Sequence, residues 1–202
     1  LRSIRTAAYR ASAKLAAEKG AFPAYDAAIL DRPTLASLDE ETRGLIAEHG
    51  LRNGCLTTIA PTGTISLLAG NTSSGIEPVF AFSYQRRVRQ QDNSFIEEPV
   101  QDYALTLWRR LHGDAPPPEH SFVSAQTLTP ADHLAMQATA QRFIDSSISK
   151  TVNCPEDIPF EEFSDIYARA FDLGCKGCTT YRPNAVTGSA ATISHLTGVG
   201  DC

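Results

Sequence analysis

The chain has 202 residues, 42% of them hydrophobic and 20% charged, enough apolar material for one globular domain of ordinary size, which sets a disordered chain aside. Its net charge of -5 gives no general attraction for nucleic acid or anionic membrane, local basic patches aside, and no apolar run approaches the roughly 20 residues that span a bilayer, so polynucleotide binding and membrane embedding are set aside. Five cysteines, an odd number unevenly spread, suit reduced thiols in a cytoplasmic protein better than a disulfide framework.

The first residue is Leu1 rather than methionine, and Leu1-Arg2-Ser3-Ile4-Arg5 leads into an alanine-rich stretch without a signal-peptide core, so both ends are read as cuts. Ile4, Ala8, Ala11 and Leu15 recur at helical spacing, which predicts a helix over 4–19 with that face inward and Gly20 as its C-terminal cap. A second helix is expected over 38–49, its positive end met by Asp39, Glu40 and Glu41 and its other end closed by His49-Gly50. The β-branched, apolar run 55–60 has strand length and stops at Pro61. Between 91 and 121 the pattern loosens into an excursion, and Asp114-Ala115-Pro116-Pro117-Pro118 cannot be helix interior.

Thr129-Pro130-Ala131-Asp132 supplies an N-cap, a first-turn proline and a first-turn acid for a long helix carrying Leu134, Ala138, Gln141 and Ile144-Asp145. Residues 160–173 form a further helix, with Phe163, Ile166, Tyr167, Ala170 and Phe171 on its apolar side and Gly174 after it, and 175–181 a strand. Strands alternating with helices of this length indicate an α/β fold with parallel crossover units. The main body is placed at 1–186, and the Gly/Ser/Thr-rich tail, 187–202, is expected to be loose.

The segment Ala60-Pro61-Thr62-Gly63-Thr64-Ile65-Ser66 joins the expected strand to Leu67-Leu68-Ala69. A strand-to-helix turn of this kind aims free backbone N–H groups outward, Gly63 permits close approach, and Thr62, Thr64 and Ser66 add hydroxyls, which together make a phosphate seat. A well-capped helix without ligand explains the same residues equally well. The spacing is neither a Walker A loop nor a dinucleotide fingerprint.

Gly50-Leu51-Arg52-Asn53 and Ile59 to Ser66, followed in order by Ser73-Ser74-Gly75-Ile76-Glu77-Pro78-Val79-Phe80, Asp145-Ser146-Ser147-Ile148-Ser149-Lys150-Thr151-Val152-Asn153 and Leu173-Gly174-Cys175-Lys176-Gly177-Cys178-Thr179-Thr180-Tyr181-Arg182, resemble the class II, adenosylcobalamin-dependent ribonucleotide reductases. The resemblance implies the C-terminal part of a ten-stranded α/β barrel, with the block from Ala60 to Ser66 gripping the phosphates of a ribonucleotide, a diphosphate before a triphosphate. It further implies replacement of the ribose 2′-hydroxyl by hydrogen, begun by a thiyl radical that homolysis of adenosylcobalamin generates. The finger-loop cysteine of that family is not matched: Asn53-Gly54-Cys55-Leu56-Thr57 has the Asn-x-Cys spacing but Thr57 in place of Glu. The catalytic cysteines, the cobalamin surface and the allosteric region are therefore expected upstream, and the chain alone is expected to be inactive and to need an N-terminal partner segment. A non-catalytic module completing a split reductase is the alternative. Either way, uncovered barrel edges predict a homodimer or aggregation.

Glu77, in a sharp turn beside Gly75 and Pro78, either meets substrate or its neighbouring loop, or caps the turn. Lys150 is a candidate charge partner near the barrel mouth. Arg86, Arg87 and Arg89 either assist phosphate binding or form a solvated face. Tyr181 stands where class I relatives carry radical-conducting tyrosines, and is read here as a packing or hydrogen-bonding side chain. Cys175 and Cys178 form a Cys-x-x-Cys that, on a strand, would send its thiols to opposite faces. His112, His120 and His133 lack ligand spacing, so no metal is expected.

Overall fold

Two capped helices open the chain in the computed structural model, which describes residues 1–183 and 192–193. The first, α1 (Arg2–Lys19), ends at Gly20 in a positive-φ conformation, φ 77°. A 3-10 turn (Ala27–Asp31) and the short α2 (Pro33–Ala36) lead to α3 (Glu40–His49). Asp39 caps α3, its carboxylate accepting from the Thr42 backbone N–H and from the Thr42 hydroxyl at 2.9 Å each. Those bonds from Thr42 hold the Asp39 carboxyl below the usual aspartate range. A depressed folded pKa contributes stability above the unfolded value, and that contribution is lost as pH falls through the folded one. The stability advantage of the wild type over Asp39→Asn, which keeps a capping oxygen but no charge, is accordingly expected at neutral pH and should shrink in urea melts below about pH 4.

The remaining elements are α4 (Gly63–Leu68), β1 (Ser83–Arg89), β2 (Phe95–Gln101), α5 (Tyr103–His112), α6 (Pro130–Gln141), β3 (Thr151–Asn153), α7 (Phe160–Asp172), β4 (Thr179–Tyr181) and β5 (Thr192–Ile193). Strands β3 and β4 pair in parallel, Thr151 against Thr179, and α7 connects them, so the expected α/β crossover is present. A second sheet is antiparallel, in the order β2-β1-β5, with Tyr84 opposite Val100. The expected loose tail lies outside the described residues apart from β5. Among the described residues no helix is long and apolar enough to cross a membrane.

The chain divides into two compact units, residues 1–60, 134–149 and 167–178 in one, and 61–133, 150–166 and 179–202 in the other. The core of the first gathers Tyr9, Ala13, Leu35, Leu38, Ile46 and Leu51, with Phe22 and Tyr25 packed against it. Gly50 borders this core at φ +76°, where a Cβ would stand 2.8 Å from that of Ala21, so no larger residue fits. In the second unit Phe82, Trp108 and Phe122 form an aromatic group, and the Trp108 indole donates to the Ala115 carbonyl at 2.8 Å.

Several expectations need correction. The buried face of α1 is Arg5, Tyr9, Ser12, Ala13 and Ala16, whereas Ile4, Ala11 and Leu15 are exposed. Polar partners draw Arg5 and Ser12 inward: Arg5 donates to the Ser37 hydroxyl and to the Arg142 carbonyl, and Ser12 donates to Asn53. The run 55–60 is not a strand and bridges only at Ile59, opposite Ile148. Its Leu56 and Thr57 N–H groups go instead to the Asp145 carboxylate, a side chain replacing the ladder carbonyls. Helix α6 stops at Gln141, short of Ile144-Asp145, and Gln141 Nε2 takes up the Ile144 and Ser146 carbonyls.

The strand expected over 175–181 is confined to β4. Cys175 still belongs to the helix end, its N–H donating to the Ala170 carbonyl, so the argument that a strand separates its thiol from that of Cys178 lapses. The excursion between 91 and 121 holds β2 and α5, and Arg86, Arg87 and Arg89 lie on β1 rather than in a simple charge run. On α7, Ile166 and Ala170 are buried as expected, but Tyr167 and Phe171 are exposed.

Candidate functional site

The second unit contains a cavity of about 810 Å³. One wall is the loop that opens α4: Gly63, Thr64, Ser66 and Leu67 line the space. Thr62 precedes them in the left-handed region, φ 51°, ψ 25°, uncommon for a β-branched residue and sustained only where the surroundings hold it. They do so here. The Gly75 N–H donates to the Thr62 hydroxyl at 3.0 Å, and the Ser66 N–H donates to the Thr62 carbonyl at 2.8 Å. The Ser66 hydroxyl donates to the Thr72 carbonyl, so it braces the loop instead of offering its proton to a ligand. No side chain caps α4, and its first N–H groups have no intrahelical partner.

The opposite walls come from the turn 71–79 and from the parallel strands. Ser73, Ser74 and Glu77 contribute from the turn, Thr151 and Asn153 from β3, and Thr179, Thr180 and Tyr181 from β4. Tyr84 and Arg86 of β1 also line it, with an apolar part from Leu67, Val79, Phe80, Ala81 and Ala125. The Tyr181 hydroxyl is buried without a hydrogen-bond partner among the described residues. It thus leaves a donor and an acceptor unspent in a residue that lines the space.

The Glu77 carboxylate is bound by residues 150 and 151, and its turn is closed by the backbone, the Glu77 N–H donating to the Ser74 carbonyl. Its Oε2 accepts from Lys150 Nζ at 2.6 Å and its Oε1 accepts from the Thr151 backbone N–H. The Lys150 side chain is 1% exposed, and its Nζ also meets His133 Nδ1 at 2.8 Å and the Thr151 carbonyl. The ammonium has only protons to give, so His133 accepts through Nδ1 and is neutral. Burial, and then the Lys150 charge, hold its pKa below the usual histidine value. Lys150 is therefore a buried partner of Glu77 and not a member of the lining.

Of the residues singled out in the sequence, the structure brings Gly63, Thr64, Ser66, Glu77, Arg86 and Tyr181 to one cavity. Pro61, Thr62 and Ile65 belong to the same loop but not to the lining, and Ala60 falls in the other unit. Thr151, Asn153, Thr179 and Thr180 were not anticipated as lining residues, although the first two lie in the same motif block as Lys150 and the last two in that of Tyr181. Among the described residues no group of three or more His, Cys, Asp or Glu side chains is placed to hold a metal.

Residues of α4, the turn 71–79, β1, β3 and β4 thus line one cavity in a mixed α/β chain. Residues 1–181 match the barrel domain of ribonucleotide reductase, and the chain belongs to that family. It is 36% identical to a vitamin B12-dependent ribonucleoside-diphosphate reductase of Thermoplasma acidophilum, over 91% of this chain and 24% of the relative. It is 34% identical to the protein of the same description from Mycobacterium tuberculosis H37Rv, over 90% of this chain and 26% of the relative. A vitamin B12-dependent ribonucleotide reductase of Streptantibioticus cattleyicolor is 31% identical over 79% of this chain and 31% of its own length. The chain thus spans about a quarter of the length of the first two relatives.

Proposed function

We propose that this chain is the substrate-phosphate-binding part of an adenosylcobalamin-dependent ribonucleoside-diphosphate reductase, forming the C-terminal part of a ten-stranded α/β barrel. What carries the reading is one observation: motif residues from three separated blocks, Gly63 and Ser66, Glu77, and Tyr181, line the same cavity. In this reading the N–H groups of Gly63 and Thr64 and the Thr64 hydroxyl hold the terminal phosphate, with Arg86 supplying positive charge. Tyr181 borders the ribose end. Pro61, Thr62 and Ile65 shape the loop, and Ala60 leads into it.

The reaction is the exchange of the ribose 2′-hydroxyl for hydrogen, and no residue of this chain is assigned the radical or the reducing thiols. The hydroxyl groups of the lining suit a phosphorylated sugar, and adenosylcobalamin, which would supply the radical when bound, is read as held by other parts of the polypeptide. The working protein in this reading is cytoplasmic, completed by N-terminal sequence and able to form a homodimer.

Calorimetric titration of the complete polypeptide carrying this chain tests the reading, with CDP and ADP set against cytidine and adenosine. Each hydrogen bond to a charged phosphate contributes about 1.5–3 kcal/mol, so two of them should make the diphosphates bind on the order of 100-fold more tightly. Equal affinity for nucleoside and nucleotide would sink the phosphate assignment. Absence of deoxynucleotide product in the presence of adenosylcobalamin, CDP and a dithiol would sink the reductase assignment.

A further inference from the structure

Among the described residues, the cavity lining includes two formally charged side chains, Arg86 and Glu77. A bare carboxylate in the wall of a phosphate-binding space would work against its ligand. At an effective dielectric near 20, a unit charge about 6 Å from another shifts an equilibrium by roughly 100-fold. Glu77 is not bare, however. Both of its oxygens are engaged, Oε2 by the Lys150 ammonium at 2.6 Å and Oε1 by the Thr151 N–H. The ammonium is itself saturated, with Glu77, His133 Nδ1 and the Thr151 carbonyl around it and a side chain 1% exposed. It is absent from the lining, so it meets no ligand directly and acts on the cavity as the near neighbour of Glu77.

We propose that Lys150 is a positioning residue that cancels the charge of Glu77 and so leaves Arg86 to set the sign of the cavity, selecting phosphorylated over uncharged nucleosides. The proposal rests on the phosphate-binding reading of this cavity. His133 serves the same end: as a neutral acceptor it fixes the ammonium without adding a second cation beside it. A buried ion pair of this kind also braces the turn bearing Glu77 against β3, and bracing alone would make every substitution in the pair harmful to every ligand.

The two roles separate by sign. In the complete polypeptide, Lys150→Met keeps the length of the side chain but leaves Glu77 uncompensated. CDP affinity should then fall by on the order of 10- to 100-fold while cytidine affinity stays within about threefold. Glu77→Gln leaves the ammonium uncompensated and should tighten CDP binding relative to cytidine. The double variant, Lys150→Met with Glu77→Gln, carries neither charge and should return the CDP-to-cytidine preference to within about threefold of wild type. Melting temperatures measured in parallel identify any single variant that does not fold, and the remaining single variant with the double variant still gives the sign. Loss of CDP preference in both single variants, or a double variant that fails to restore it, overturns the proposal in favour of bracing alone. A wild type with no preference for CDP over cytidine overturns the phosphate-binding reading itself and this inference with it.

Discussion

Gly63→Val is expected to remove nucleotide binding while leaving the melting temperature within about 2 °C of wild type. The two effects separate because of where the new side chain goes. Gly63 is the first residue of α4 and is not among the positive-φ glycines, so valine meets no backbone strain there. A Cβ built on it finds no atom within 4 Å, so valine also meets no steric resistance in the ligand-free fold. Gly63 is also one of the residues that line the cavity. A phosphate oxygen must come within about 3 Å of a backbone N–H to accept from it, and two added methyl groups beside the Gly63 and Thr64 N–H groups occupy that position. Losing two charge-assisted bonds corresponds to on the order of 100-fold or more in the dissociation constant for CDP. Calorimetry with CDP alongside differential scanning calorimetry checks both halves. A variant that binds CDP as wild type does would show that the phosphate lies elsewhere in the cavity, and a variant that melts far lower would show that Gly63 serves the fold.

The turn into α4 is legible in the sequence because the residues that form it are neighbours in the chain, although the Gly75 N–H that holds Thr62 lies 13 residues on. Pro61, Gly63 and the hydroxyl residues around them sit within one turn, and a turn followed by a short helix aims its N–H groups outward whatever the rest of the chain does. The helix ends were legible for the same reason. Asp39 caps α3 through Thr42, and Thr129 and Asp132 exchange bonds at the start of α6, all within three residues. What sequence could not supply was partnership over distance. Glu77 and Lys150 are 73 residues apart, so each was noticed for its own chemistry while the ion pair that joins them was not. His133 has no ligand spacing in the sequence, and its partner in the fold is the Lys150 ammonium 17 residues on.

The misread elements have the same origin. The apolar residues of α1 do not mark its buried face, because Arg5 and Ser12 turn inward to meet Ser37, Arg142 and Asn53. Strand β2 escaped notice because its first five residues are exposed and it contains Pro99, which is tolerated on an edge strand but erases the alternating pattern. Helix α5 did carry a readable signal: the Asp102 carboxylate accepts from the Ala104 and Leu105 N–H groups, and the three prolines beyond the helix drew the reading toward loop.

The segment 55–60 leads to the second expected result, a loss of about 3 kcal/mol in stability on Asp145→Ala. In the first unit the Asp145 carboxylate accepts from the Tyr9 hydroxyl at 2.6 Å, from the Leu56 N–H at 2.9 Å and from the Thr57 N–H at 3.2 Å. Its own N–H donates to the Thr57 hydroxyl at 3.0 Å. These bonds, with one isolated bridge at Ile59, tie the chain leading into Pro61 to residues 145–148, in place of a regular ladder. Burial, and then the hydrogen bond to Asp145, push the Tyr9 hydroxyl well above the ordinary tyrosine pKa, so it stays a donor at any working pH. Alanine removes the acceptor and strands three donors, and a part-buried donor left unmatched costs about 1 kcal/mol or more. For a chain of this size the sum corresponds to a melting temperature lower by roughly 6–12 °C. Tyr9→Phe removes one donor with its need for a partner and should cost only about 1 kcal/mol. The double variant should then be less destabilised than the sum of the two, because the Tyr9 hydroxyl is no longer left stranded. Urea denaturation of the four proteins reads all of these values. Strict additivity would mean that Asp145 and Tyr9 act independently, and an Asp145→Ala cost below about 1 kcal/mol would mean that the backbone of 55–60 holds its course without the carboxylate.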